Sequence, residues 1–118
     1  MSNKIKNIFK NRFRNNSTFI VAEISANHNK KISNVIKIIK QAKKIGLDAI
    51  KLQLYHPEKI TINANNKDFL ISKKNSWGKY NSLYELYKKA CTPYEWYDQI
   101  KKECIKNGVI LFSSVFDL

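Results

Sequence analysis

Two of the chain's three glycines, Gly46 and Gly108, each stand between a stretch of helical period and a short apolar run, and this arrangement constrains the fold more than any other feature. Ahead of Gly46, the residues Val35, Ile38, Ile39, Ala42 and Ile45 recur at helical spacing, with Ser33 as the expected N-cap. Lys43 and Lys44 fall in the last turn, where cations suit the helix dipole, and Gly46 can take the left-handed conformation that ends a helix. The chain then re-enters an apolar strand that closes on Lys51-Leu52-Gln53, while upstream Phe19 to Ile24 forms another β-branched run. Strand, helix, glycine and strand within about 35 residues make a βαβ unit, which crosses over right-handed to a parallel neighbour. Gly108 repeats the device: Trp96, Ile100 and Cys104 share one face of a helix expected to end at Asn107-Gly108, and Val109 to Phe112 forms a third strand. The expected class is α/β, with three parallel strands and intervening helices. Such a sheet has two open edges and incomplete cover, so the sequence is expected to be the opening third of a larger domain.

The remaining segments are less periodic. Residues 1–17 are basic and contain no acid. Ile5, Ile8, Phe9 and Phe13 would fit one face of a membrane-surface helix, but the turn cluster Asn15-Asn16-Ser17 favours a hairpin or frayed lead-in before a domain over 18–118. Tyr55 to Tyr80 is broken by Pro57, Asn63, Asn65, Asn66 and Gly78; it is expected either to cover a site or to be a surface insertion anchored by Phe69 and Trp77. Two helix starts follow: Ser82 to Glu85 fits a capping box, and Thr92-Pro93-Tyr94-Glu95 fits another, with proline at the first helical position.

A formal charge of +13 raises the question of nucleic acid, because clustered cations release counterions from phosphate backbones. The positive residues are almost all lysines scattered along every helical segment among asparagines and isoleucines, and no nucleic-acid-binding module is visible. A basic module for nucleic acid or an acidic membrane surface is the alternative that charge alone supports; the main reading has neither partner. No apolar run approaches the roughly 20 residues of a membrane-spanning helix. Cys91 and Cys104 match no zinc spacing, and His28 and His56 have no partner at metal-ligand spacing, so no metal site is expected from this chain alone. Two thiols with no secretory signal read as reduced residues of a cytoplasmic protein.

Parallel strands deliver their carboxyl ends to a common rim. That rule collects Glu23, Ser25, Asn27 and His28 from the first strand, Lys51 and Gln53 from the second, and Ser113 and Ser114 from the third. A lysine with serine hydroxyls suits an anionic phosphate or carboxylate, and a carboxylate beside them suits proton transfer or the orientation of a water. A structural Glu23–Lys51 ion pair would account for those two residues equally well, and His28, Ser113 and Ser114 have ordinary roles at strand ends. No glycine-rich phosphate loop exists, which disfavours a dinucleotide fold.

Val21 to Asn29, Ala42 to Gln53, Leu83 to Tyr87, Thr92 to Trp96 and Phe112 to Ser114 resemble, in that order, the N-terminal part of the sialic acid synthase family, and the similarity runs from Phe19 to Asp117. Lys51-Leu52-Gln53 and Tyr94-Glu95-Trp96 look more like the pseudaminic acid branch than the N-acetylneuraminate branch, which typically has Lys-His-Gln. The resemblance implies an incomplete (β/α)8 TIM barrel holding the first three strands. It implies a transferase-type condensation of phosphoenolpyruvate with an acetamido aldose and water, giving a nonulosonic acid and phosphate. By position, Glu23 is the implied catalytic residue beside the sugar aldehyde and attacking water, Lys51 holds phosphoenolpyruvate, and Ser114 contacts that ligand. Gln53, Ser113, Asn27 and His28 are the further candidates for substrate binding. The resemblance also implies a divalent metal, manganese or magnesium, held by histidines of later strands that this chain lacks. It implies a homodimer whose C-terminal antifreeze-like domain completes the site, and hence no activity for this chain alone. Leu54 and Val115 depart from the family, which usually has threonine and proline there.

Overall fold

The computed structural model describes residues 3–116; residues 1–2 and 117–118, the outer ends of the two expected segments, lie outside the described residues. Strand β2 (Ala49–Leu54) is the centre of a three-stranded sheet, flanked by β1 (Val21–Glu23) and β3 (Ile110–Val115), and both pairings are parallel, as the crossover pattern requires. The register aligns Glu23 with Lys51 and Phe112, and Gln53 with Ser114. One residue out of phase, Ala22 aligns with Ile50 and Leu111, and Leu52 with Ser113. Because strand side chains alternate, the first set shares one face of the sheet and the second set the other.

The two faces differ in cover. Helices α2 (Ile32–Lys44) and α5 (Tyr97–Asn107) pack on the second face, where Val35, Ile39 and Ala42 meet Ile100 and Cys104 over Ile24, Ile50 and Leu52. At roughly 1.5–3 kcal/mol for each fully buried aliphatic side chain, this one-sided core dominates the fold's stability. Burial pushes the Cys104 thiol up to about 11, helped by the Glu103 charge, so it stays protonated and packs as a small apolar group. The first face carries no helix, and Val21 and Phe112 stand exposed on it.

Both helices end as their glycines dictate. Gly46 and Gly108 have φ of +76° and +69°, and the next residues, Leu47 and Val109, return their N–H groups to Ala42 and Cys104. The start of α2 differs from expectation. Lys31, not Ser33, is the N-cap, and Ser33 lies within the first turn. A tight loop ahead of the helix already passes Lys31 N–H to His28 O and Asn34 N–H to Lys31 O, so the helix begins earlier. Ser82 caps α4 (Leu83–Ala90) as expected: its Oγ accepts from Glu85 N at 3.2 Å, and the Glu85 carboxylate accepts from Asn81 N at 2.9 Å. The second expected box does not form. Thr92 N–H goes to the Gln53 carbonyl, Pro93 caps a 3-10 turn over Tyr94–Trp96, and the buried Thr92 Oγ1 has no partner.

The N-terminal segment is a correction of a different kind. Where the Asn15-Asn16-Ser17 cluster predicts a hairpin or frayed lead-in, Asn3–Arg14 forms a continuous helix, α1, that ends at that cluster. Tertiary contacts hold it. Phe9 stacks on Phe19 at 4.5 Å, Ile5 and Ile8 border a cavity with Cys104 and Val109, and Arg12 reaches Asp48 at 2.9 Å and the Gly46 carbonyl at 3.1 Å. The Asp48 carboxylate also accepts the Ile20 N–H at 2.9 Å, so α1 is fastened beneath the amino ends of the strands. Ile5 and Ile8 are therefore turned to the domain, while Phe9 stays partly and Phe13 largely exposed. Among the described residues no helix is long and apolar enough to cross a membrane. In the Tyr55 to Tyr80 stretch, α3 (Pro57–Ile60) is followed by loops and one antiparallel bridge, Leu70 to Ser82; Trp77 is half exposed and Phe69 partly buried.

Candidate active site

The helix-free face gathers the charged pair. Lys51 Nζ lies 2.8 Å from Glu23 Oε2, with the two side chains 34% and 36% exposed. The other carboxylate oxygen, Glu23 Oε1, accepts the Ser25 N–H at 3.1 Å. A pair this open to water is worth at most about 1 kcal/mol, so the fold does not depend on it. Its effect is geometric: a carboxylate held at both oxygens beside an ammonium that has one of three donors engaged, leaving two for an anion. Gln53 Nε2 donates to Ser25 Oγ at 3.2 Å, joining β2 to the loop after β1. Ser114, in register with Gln53, brings its hydroxyl to the same face. Glu23, Lys51, Gln53 and Ser114 are thus brought together.

The other expected site residues are turned elsewhere. Ser113 is in register with Leu52 on the helix-covered face; its Oγ donates toward Leu52 O at 3.1 Å and accepts from Leu54 N at 3.1 Å, latching β3 to β2. The side chain of Asn27 donates to Ile24 O at 3.0 Å to close the turn, and borders a separate cleft of about 350 Å³ with Trp77 and Lys79. His28 is fully buried with its ring edge-on to Trp96 at 5.6 Å. Its Nδ1 accepts the Lys30 N–H at 3.1 Å, so the neutral ring carries its proton on Nε2, which is turned to the Ala90 backbone without closing a well-formed hydrogen bond.

Burial lowers the His28 pKa below its ordinary 6.5; the Ala90 backbone opposes this and the Lys30 charge adds to it. The sign of the linkage follows. The unfolded chain takes up a proton near 6.5 that the folded chain refuses, so stability is complete above that pH and is lost as pH falls below it. Melting temperature should drop by roughly 5 °C between neutral pH and the region just below the ordinary histidine value. His28→Gln should flatten that slope, and an unchanged slope would assign the effect to other groups.

A cleft of about 810 Å³ lies beside the carboxyl end of β2, bordered by Tyr55, His56, Glu58, Lys88, Cys91 and Tyr94, and contains none of the expected site residues. The irregular Tyr55 to Tyr80 stretch is the sequence feature that points to it. Lys30 Nζ crosses it to donate to Cys91 O at 2.7 Å and lies 3.1 Å from the Cys91 sulfur. Among the described residues no three of His, Cys, Asp and Glu are grouped to hold a metal ion. Glu23 already has both oxygens engaged. These donors do not fit a divalent cation, and no chemistry derived from this chain passes through one.

Residues 38–118 match the model of the NeuB family. The chain belongs to the NeuB family. It is 49% identical over 98 residues to a pseudaminic acid synthase of Campylobacter jejuni, a match covering 83% of this chain and 28% of that protein. A pseudaminic acid synthase of Helicobacter pylori is 41% identical over 97 residues, again 28% of its length. The crystal structure of the spore coat polysaccharide biosynthesis protein SpsE of Bacillus subtilis superposes with a TM-score of 0.56 at 26% identity, covering 84% of this chain and 24% of that one. This NeuB chain therefore spans about a quarter of the length of the relatives it matches. The matched region of the family model begins within α2 and takes in Lys51, Gln53 and Ser114 but not Glu23; the 98-residue match to the C. jejuni protein is longer than the matched segment.

Proposed function

We propose that this chain supplies the first three strands of a (β/α)8 barrel in a nonulosonic acid synthase of the pseudaminic acid type, and with them one wall of its phosphoenolpyruvate and sugar site. The observation that carries the reading is the Glu23–Lys51 pair, 2.8 Å apart on the helix-free face, with Gln53 and Ser114 in register beside it. The relatives named as pseudaminic acid synthases favour that branch over an N-acetylneuraminate synthase. Lys51, with two free donors, and the Ser114 hydroxyl bind the phosphate and carboxylate of phosphoenolpyruvate. Glu23 faces the aldehyde of an acetamido aldose and the attacking water. The enol carbon bonds to the aldehyde carbon, water adds to the carbon bearing the phosphate ester, and inorganic phosphate leaves. Of the two protons of that water, Glu23 takes one and passes it to the aldehyde oxygen, which becomes a hydroxyl, and the other leaves with the phosphate. The complete enzyme works in the cytoplasm as a homodimer, and this chain by itself binds without turnover.

Binding is testable on the chain itself. Phosphoenolpyruvate should shift the amide resonances of Lys51, Gln53 and Ser114 saturably, inorganic phosphate should compete, and Lys51→Ala should weaken binding by roughly tenfold or more. No saturable shift, or equal affinity in Lys51→Ala, removes Lys51 from the site.

A further inference from the structure

Ser25 stands just past β1 with a φ of +46°, in the left-handed region that residues other than glycine, asparagine and aspartate seldom occupy. A serine there is strained relative to glycine. Among the described residues its side chain makes one hydrogen bond: Gln53 Nε2 donates to Ser25 Oγ at 3.2 Å. Its N–H, aimed by the same backbone conformation, holds Glu23 Oε1 at 3.1 Å while Lys51 holds Oε2 at 2.8 Å. The neighbouring left-handed residues behave differently. Asn29 is a type that tolerates a φ of +49°, and Lys30, at +53°, sends its side chain to Cys91.

We infer that Ser25 is a positioning residue: its N–H orients the Glu23 carboxylate, and its hydroxyl fixes the Gln53 amide toward the acceptor sugar. The inference rests on the proposed synthase reading. With one N–H spent on Ser25, Gln53 presents Oε1 and a second N–H, the donor and acceptor pair that an acetamido group or sugar hydroxyl requires. Strain is kept at this turn because the hydroxyl cannot be had from the residue that would relieve it.

Ser25→Ala and Ser25→Gly both delete the hydroxyl, and only glycine relieves the left-handed backbone. In the 118-residue chain, Ser25→Gly should melt roughly 2–5 °C above Ser25→Ala. In both variants the Gln53 side-chain amide resonances should move to the position and exchange rate of a free glutamine. In the complete synthase both should raise KM for the sugar roughly tenfold, a larger change than in KM for phosphoenolpyruvate. Ser25→Thr, which keeps the hydroxyl, should restore the sugar KM at a lower melting temperature. Unmoved Gln53 resonances overturn the inference, as does a native sugar KM in Ser25→Gly when Gln53→Ala raises it. The Gln53 resonances judge the Ser25 contact whether or not the synthase reading survives; that reading stands or falls on phosphoenolpyruvate binding at Lys51.

Discussion

Glu23→Gln in the complete synthase should lower kcat by roughly a thousandfold while leaving affinity for phosphoenolpyruvate within a few-fold of native. The substitution is nearly isosteric. A glutamine oxygen can still accept the Ser25 N–H that now reaches Glu23 Oε1 at 3.1 Å, so the loop after β1 keeps its shape. What disappears is the proton acceptor and its charge. Losing the charge also releases Lys51 from its 2.8 Å partner, which makes the ammonium more available to an anionic ligand rather than less. Rate and affinity therefore separate, and steady-state phosphate release together with a binding titration reads both. A purely structural ion pair makes the opposite forecast: at this exposure its loss costs at most about 1 kcal/mol of stability and leaves kcat alone. A kcat within tenfold of native would retire Glu23 as the group that moves a proton.

What could be read ahead from residue order was mostly what local backbone chemistry decides. Gly46 and Gly108 sit where a left-handed stop must follow a helical period, and the parallel sheet follows from the two crossovers they end. The approach of Glu23, Lys51, Gln53 and Ser114 then comes from register, since strands of like direction carry their carboxyl ends to one side. The separation of Ser113 from Ser114 was also legible, because adjacent strand residues face opposite ways; reading both as strand-end hydroxyls ignored the alternation. Other features depend on partners distant in the chain. His28 is buried by Trp96, α1 is held by Phe19 and Asp48, and the Thr92 capping motif fails because the Gln53 carbonyl claims its N–H. The left-handed Ser25 is hardest to foresee, because serine does not advertise that conformation as glycine does.

Leu52→Ala should destabilise the chain by about 3 kcal/mol, a fall in melting temperature of roughly 15 °C, whereas Phe112→Ala on the neighbouring strand should change it by less than about 1 kcal/mol. Both positions are large apolar residues of one sheet, and the difference lies in which face each occupies. Leu52 is fully buried among Val35, Ile39 and Ile100, so truncation opens a cavity that two helices cannot collapse into. Phe112 is 42% exposed on the helix-free face beside Lys51 and has little burial to lose. Equal losses in thermal melts would mean that the core is not one-sided. The asymmetry also bears on the proposed barrel: once further strands close over the helix-free face, Phe112 becomes an interior residue, and in the complete synthase Phe112→Ala should approach the cost of a core truncation. Leu52 matters to the site in both settings, because it is the buried link between Lys51 and Gln53. The packing that fixes it on one side of β2 is what holds an ammonium and an amide in place on the other.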